Sequence, residues 1–141
     1  MTTFAAQVKG WTDKAKRNTG LIVADAAQGV FADMSRDQPS VKETGGFFAI
    51  GAVPVDQSDL INSLFSTLNG SLKGQGQTAY IAALADFEIG DVITHAFSVE
   101  YAPHIEYGTQ HFEGRFMVRE AINGEGGWQA RIDASAARIG S

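Results

Sequence analysis

The sequence predicts an α+β fold in which a long N-terminal helix and a shorter C-terminal helix pack on one face of an antiparallel sheet of about four strands. Three observations lead there. Phe4, Val8, Trp11, Ala15, Ile22, Ala26, Val30 and Met34 recur at three- and four-residue steps, the spacing of one apolar helix face. From Val41 that spacing gives way to short apolar runs separated by glycine-bearing turns. Helical spacing then returns at Phe116, Val118, Ala121 and Ile122.

The first helix is expected from about Thr3 to Met34, with a kink or break near Asn18-Thr19-Gly20, because glycine in a helix interior costs about 1 kcal/mol against alanine. It should end before Pro39, since the residue ahead of a proline is biased out of the helical region. Thr44-Gly45-Gly46 reads as a turn and Phe47 to Ile50 as a short strand or buried segment. Pro54 to Leu60 reads as a turn leading into a brief helix, with Asp56 or Ser58 as its N-cap. Leu64 to Leu68 is an expected strand, Asn69-Gly70 a hairpin turn, and Gly74-Gln75-Gly76 a second break. The apolar run from Thr78 to Phe87 suits strand or helix, and strand fits the hairpin better. Glu88 to Asp91 is the next turn, and Val92 to Val99 alternates as a further strand. Pro103 suits a helix start and Gly108 the position after a last turn, giving a short helix over Ala102 to Tyr107. The second long-spaced helix closes near Asn123-Gly124. The chain reads as one domain over residues 1–141, with 124–141 an extended C-terminal tail whose Ala-rich run also suits a helix but has little to bury itself against.

Composition narrows the function classes. Hydrophobic residues at 44% and charged residues at 19% place the chain among globular proteins. With no cysteine, disulfide frameworks and thiolate metal sites are excluded. Met1-Thr2-Thr3-Phe4 has no basic segment leading into an apolar run, so no secretory signal is expected. No stretch approaches the ~18 apolar residues of a membrane span, and no membrane partner is expected. A net charge of −5 argues against nonspecific grip on nucleic acid. Between Lys73 and Arg115 there is no Lys or Arg, while Asp86, Glu88, Asp91, Glu100, Glu106 and Glu113 fall in that interval. Lys9, Lys14, Lys16 and Arg17 crowd the N-terminal helix. Such runs are usually solvated faces; the functional reading is complementarity between copies in an assembly, with Lys14, Lys16, Arg17, Glu100, Glu106 and Glu113 as subunit-interface candidates.

The densest local chemistry is Tyr101-Ala102-Pro103-His104-Ile105-Glu106-Tyr107-Gly108-Thr109, followed by Arg115-Phe116-Met117. Tyr101 and Tyr107 supply large amphipathic rings suited to an interface or to a core with a hydrogen-bonded hydroxyl. Gly108 permits positive φ at the helix exit. Glu106 is placed to cap the helix that begins near Gly114, or to pair with Arg115 or Arg119. Together with Pro54-Val55-Asp56, Leu60 and Ser63, this pattern resembles the tail-completion (head–tail joining, or neck) proteins of long-tailed bacteriophages. The box Tyr101-Ala102 through Glu106-Tyr107-Gly108-Thr109 carries the specific part of the likeness, which extends with gaps to about Asn123. Gln57-Ser58 stands where that family usually has Thr-Gly, and Phe116 lacks the proline that usually precedes it.

The resemblance implies a structural virion protein in the neck or tail, assembled in the host bacterial cytoplasm, forming a hexameric ring at the head-proximal end of the tail. Its implied partners are its own copies, the tail terminator or tail tube protein and the head connector or stopper protein, with DNA passing the lumen unbound. A tail terminator capping the tube is the alternative within that class. The rival from another class is a small ligand-binding or hydrolytic α+β domain using His95, His104, Glu106, His111 and Glu113, which fall within nineteen residues. A helical 103–107 segment turns His104 and Glu106 about 200° apart, and no His-Glu-x-x-His spacing is present. Ser63 and Ser66 sit in no Gly-x-Ser-x-Gly elbow, and Gly74-Gln75-Gly76 lacks the Gly-Lys-Ser/Thr ending of a phosphate loop. No catalytic residue, metal or cofactor is therefore expected, and the chain is not expected to be an enzyme.

Overall fold

The computed structural model describes residues 3–55 and 59–139. Helix α1 spans Phe4–Met34 without interruption, its first turn capped by the Thr3 hydroxyl, which accepts from the Ala6 N–H at 3.1 Å. Gly20 does not break it. A Cβ there would stand 3.8 Å from the Ile89 side chain, so the bare backbone lies against the turn that precedes the sheet's last strand. After α1 the chain runs through β1 (Asp37–Pro39) and the short α2 (Val41–Thr44) to β2 (Val53–Val55), which pairs parallel with β1. The intervening Phe47 to Ile50 segment is neither strand nor core: Phe47 lies open to solvent. Asp56, Gln57 and Ser58, two of them the expected caps, lie outside the described residues. Next comes α3 (Asp59–Asn62).

The antiparallel sheet has three strands in the order β4-β3-β5, where the sequence led us to expect about four: β3 (Leu64–Leu68), β4 (Ser71–Gln75) and β5 (Ile93–Phe97). Asn69 and Gly70 form the hairpin turn with φ of 53° and 85°, the left-handed pair that suits the twist of two strands. The fourth expected strand is instead α4 (Tyr80–Ala85). Ala79, Tyr80 and Ala83 are the buried positions of that run, a helical spacing, and Ala and Leu are strong helix formers. The hairpin partner is thus the more polar segment just before it.

Beyond the sheet stand α5 (Ala102–Tyr107), the small antiparallel ladder of β6 (Gly108–Thr109) with β7 (Phe112–Glu113), and α6 (Met117–Asn123). The tail is not extended. Trp128–Ile139 forms α7, which lies along α1 with Ser135 buried in the seam. Arg131 meets Asp33 at 2.6 Å and Arg138 pairs with Asp25. Gly29 makes the approach close, since the Arg131 side chain occupies the space a Cβ at that position would need. The main core joins Val30 and Met34 of α1 to Val53, Leu60, Ile61, Leu64, Ala102, Met117 and Ala121.

Candidate functional site

The box residues build a joint between α5 and α6. Pro103 stands in the first turn of α5, and Gly108 leaves it at φ 83°. From there the β6–β7 ladder turns the chain back so that Arg115 N–H donates to the Ile105 carbonyl at 2.8 Å and Phe116 N–H to the Glu106 carbonyl at 3.0 Å. The two backbones touch: a Cβ on Gly108 would lie 2.5 Å from the Gly114 nitrogen, and one on Gly114 would lie 2.6 Å from the Glu106 oxygen. Only glycine fits at either place.

Phe116 precedes α6 in a left-handed conformation (φ 51°) and offers no side-chain oxygen to the helix. Glu106 supplies what a Ser or Asp cap would normally give. Its Oε2 accepts from Val118 N–H and its Oε1 from Arg119 N–H, each at 2.9 Å, and the carboxylate sits at the positive end of the helix dipole. The expected capping role is therefore met. Glu106, expected among the subunit-interface residues, is instead buried, with both its oxygens committed internally. Lys14, Lys16, Arg17, Glu100 and Glu113 are exposed.

The first motif segment meets the box in space. Pro54, Leu60, Tyr101, Ile105, Phe112 and Arg115 line one cleft of about 520 Å³, although Pro54 and Arg115 are far apart in sequence. Val55 packs on the core, and the Ser63 hydroxyl donates to the Leu60 carbonyl at 2.7 Å. Ala102 is buried, Thr109 accepts from His111 N–H at 3.1 Å, and Phe116 lies under the Arg119 guanidinium. Asp56 lies outside the described residues. The two tyrosines face outward, so neither is a core residue with a buried hydroxyl.

Arg115 is buried, a placement that its position beside the box did not signal. It is 7% exposed, its guanidinium lies 3.7 Å from the centre of the Phe48 ring, and Nη1 donates to the Glu113 carbonyl. Its Nε has no partner among the described residues, and burial lowers its pKa from the usual arginine value. The cation ties the Phe47–Phe48 loop to the joint through its ring contact.

The histidines do not gather. His104 and His111 are exposed, whereas His95 is buried between Phe31 and Tyr80. His95 Nδ1 lies 2.7 Å from the Ser66 hydroxyl and Nε2 2.7 Å from the Ser35 hydroxyl. Desolvation lowers its pKa to about 4, against a smaller upward pull from the Phe65 carbonyl. A second cleft of about 530 Å³ is lined by His95, Glu100, Glu106, Tyr107 and apolar neighbours, with His104 outside it. Both ring nitrogens of His95 and both oxygens of Glu106 are already held in internal hydrogen bonds. Among the described residues, no three His, Asp or Glu side chains converge as metal ligands would. No protein-family model matches the chain, nor does any curated protein or solved structure compared with it.

Proposed function

We propose that this chain is a structural virion protein of a long-tailed phage, acting in tail completion and head–tail joining from a hexameric ring at the head-proximal end of the tail. One observation carries the reading: the segments that resemble the neck proteins, distant in sequence, meet in one joint whose parts depend on each other. Glu106 caps α6, Gly108 and Gly114 let the backbones touch, and Pro54 and Leu60 share a cleft with Tyr101 and Arg115. Such chemistry fixes the shape of a rigid building block, with Tyr101 and Tyr107 left outside for neighbours. The function is then geometric: copies close around the tail axis and adapt the tail end to the head connector. Partners are the tail terminator or tail tube protein on one side and the connector or stopper on the other. The acidic stretch between residues 74 and 114 suits a passage through which DNA slides without sticking.

The test is loss and return of the gene product. Particles made without the chain should yield filled heads and separate tails, and adding purified protein should join them. Normal infectious particles made without it would end the proposal.

A further inference from the structure

Arg115 is a buried cation, and among the described residues no carboxylate pairs with it. Nη1 donates to the Glu113 carbonyl, and the guanidinium lies over the Phe48 ring; both partners are neutral. The Glu113 carboxylate acts on it at range, from an exposed side chain that water screens. A buried charge held only by neutral groups keeps much of its desolvation cost. An anion that reached it would feel a field that solvent weakens little.

The residue also has an opening beside it. Arg115 lines the cleft of about 520 Å³, a volume within the range of small-molecule sites. Ser40, Leu60 and Arg115 are the buried members of that lining, while Val41, Tyr101 and Phe112 are exposed. The cation therefore stands at the floor, and apolar groups, Pro54 and Ile105 among them, rise toward the mouth. The Ser40 hydroxyl approaches the start of α2 as a capping residue would, without completing a hydrogen bond, so a second polar group at the floor has capacity to spare. Lys42 and Asp59, the other charges of the lining, are exposed and opposite in sign, which leaves the buried cation to set the balance.

We infer that this cleft binds a carboxylate carried on an apolar body, its oxygens toward Arg115 and its apolar part between Val41, Ile105 and Phe112. Inorganic anions would leave the apolar walls unmatched, and a neutral apolar molecule would leave the cation unpaired. A free acid and the C-terminus of a protein segment present the same chemistry. The inference stands on the cleft alone and does not need the neck reading.

Titration of the full chain with phenylacetate to about 10 mM, followed in proton–nitrogen spectra, tests this. The amides of Ile105 and Phe112 and the Nε–H of Arg115 should shift together, with a Kd of about 1 mM. Phenylacetamide, which has the same body without the charge, should not saturate in that range. Arg115→Met should weaken phenylacetate at least about 10-fold while keeping the wild-type circular dichroism. Val41→Glu sets a carboxylate of the chain's own at the mouth, at an exposed position, and should weaken it at least about fivefold; it decides the matter if Arg115→Met misfolds. Acetyl-dialanyl-phenylalanine separates the sources: tighter binding than phenylacetate, lost on amidation of its C-terminus, assigns a chain end, and weaker binding assigns a free acid. A wild type that shows no shift with either probe, phenylacetamide binding as well as the acid, or a folded Arg115→Met or Val41→Glu protein that binds as the wild type does would each overturn the site.

Discussion

Replacing Glu106 by alanine removes the cap of α6 from a distance of twelve residues. Two backbone N–H groups, at Val118 and Arg119, lose carboxylate oxygens 2.9 Å away. The site is buried, so water does not simply take the carboxylate's place. Charge-assisted bonds of this kind and the lost dipole interaction together are worth about 3 kcal/mol. A chain of 141 residues has an unfolding entropy near ~0.3 kcal/mol per degree, so the melting temperature should fall by about 10 °C. Glu106→Gln keeps one acceptor and should cost less, about 2 kcal/mol. Thermal and urea unfolding followed by circular dichroism give the numbers, and hydrogen exchange at the Val118 and Arg119 amides locates them. His104→Ala, exposed on the same helix, is the control and should stay within about 0.5 kcal/mol. A Glu106→Ala protein as stable as that control would refute the cap as the tie between the helices.

Three further outcomes follow from the same structure. His95 has a folded pKa of about 4 against 6.5 when unfolded, so only the unfolded chain takes up the proton between those values. Stability present above pH 6.5 should therefore decline toward pH 4, by about 2 kcal/mol from this group, and the difference in unfolding free energy between pH 7.5 and 4.5, taken from urea titrations, should shrink by about that amount in His95→Phe; an unchanged difference contradicts it. Ser135 is buried against α1 with its hydroxyl unpartnered among the described residues, so Ser135→Ala should be neutral or stabilise by about 0.5–1 kcal/mol in urea unfolding, whereas a clear loss would show a partner for that hydroxyl. Gly108→Ala forces a Cβ into the Gly114 backbone at positive φ and should cost about 3 kcal/mol or more, read as a lower melting temperature; an unshifted melt would refute the close approach.

Where the chain speaks in periodicity or in turn chemistry, the sequence was legible. The stripe from Phe4 to Met34 gave α1 nearly to the residue, Asn69-Gly70 gave the hairpin, and Pro103 with Gly108 bounded α5. Glu106 was readable as a cap or as a partner of Arg115 or Arg119, and its oxygens take the cap. The misreadings share a cause. Thr78 to Phe87 is apolar on all sides, so no period separates strand from helix, and the hairpin argument chose wrongly. Helix α7 packs through Ser135 and over Gly29, small residues that carry no hydrophobic signal. Arg131 and Arg138 hold it through Asp33 and Asp25, which read only as the polar side of α1. Arg115 is a charge buried by its neighbours' arrangement, and a single sequence gives no pattern for that.

The central claim is that this chain is a joint of the virion neck. A reconstruction of the head–tail junction in purified particles carrying a tagged copy tests it most directly. The account predicts tag density in a hexameric ring at the head-proximal end of the tail. Tag confined to the capsid faces or the distal tail tip, or absent from the particles, would contradict it.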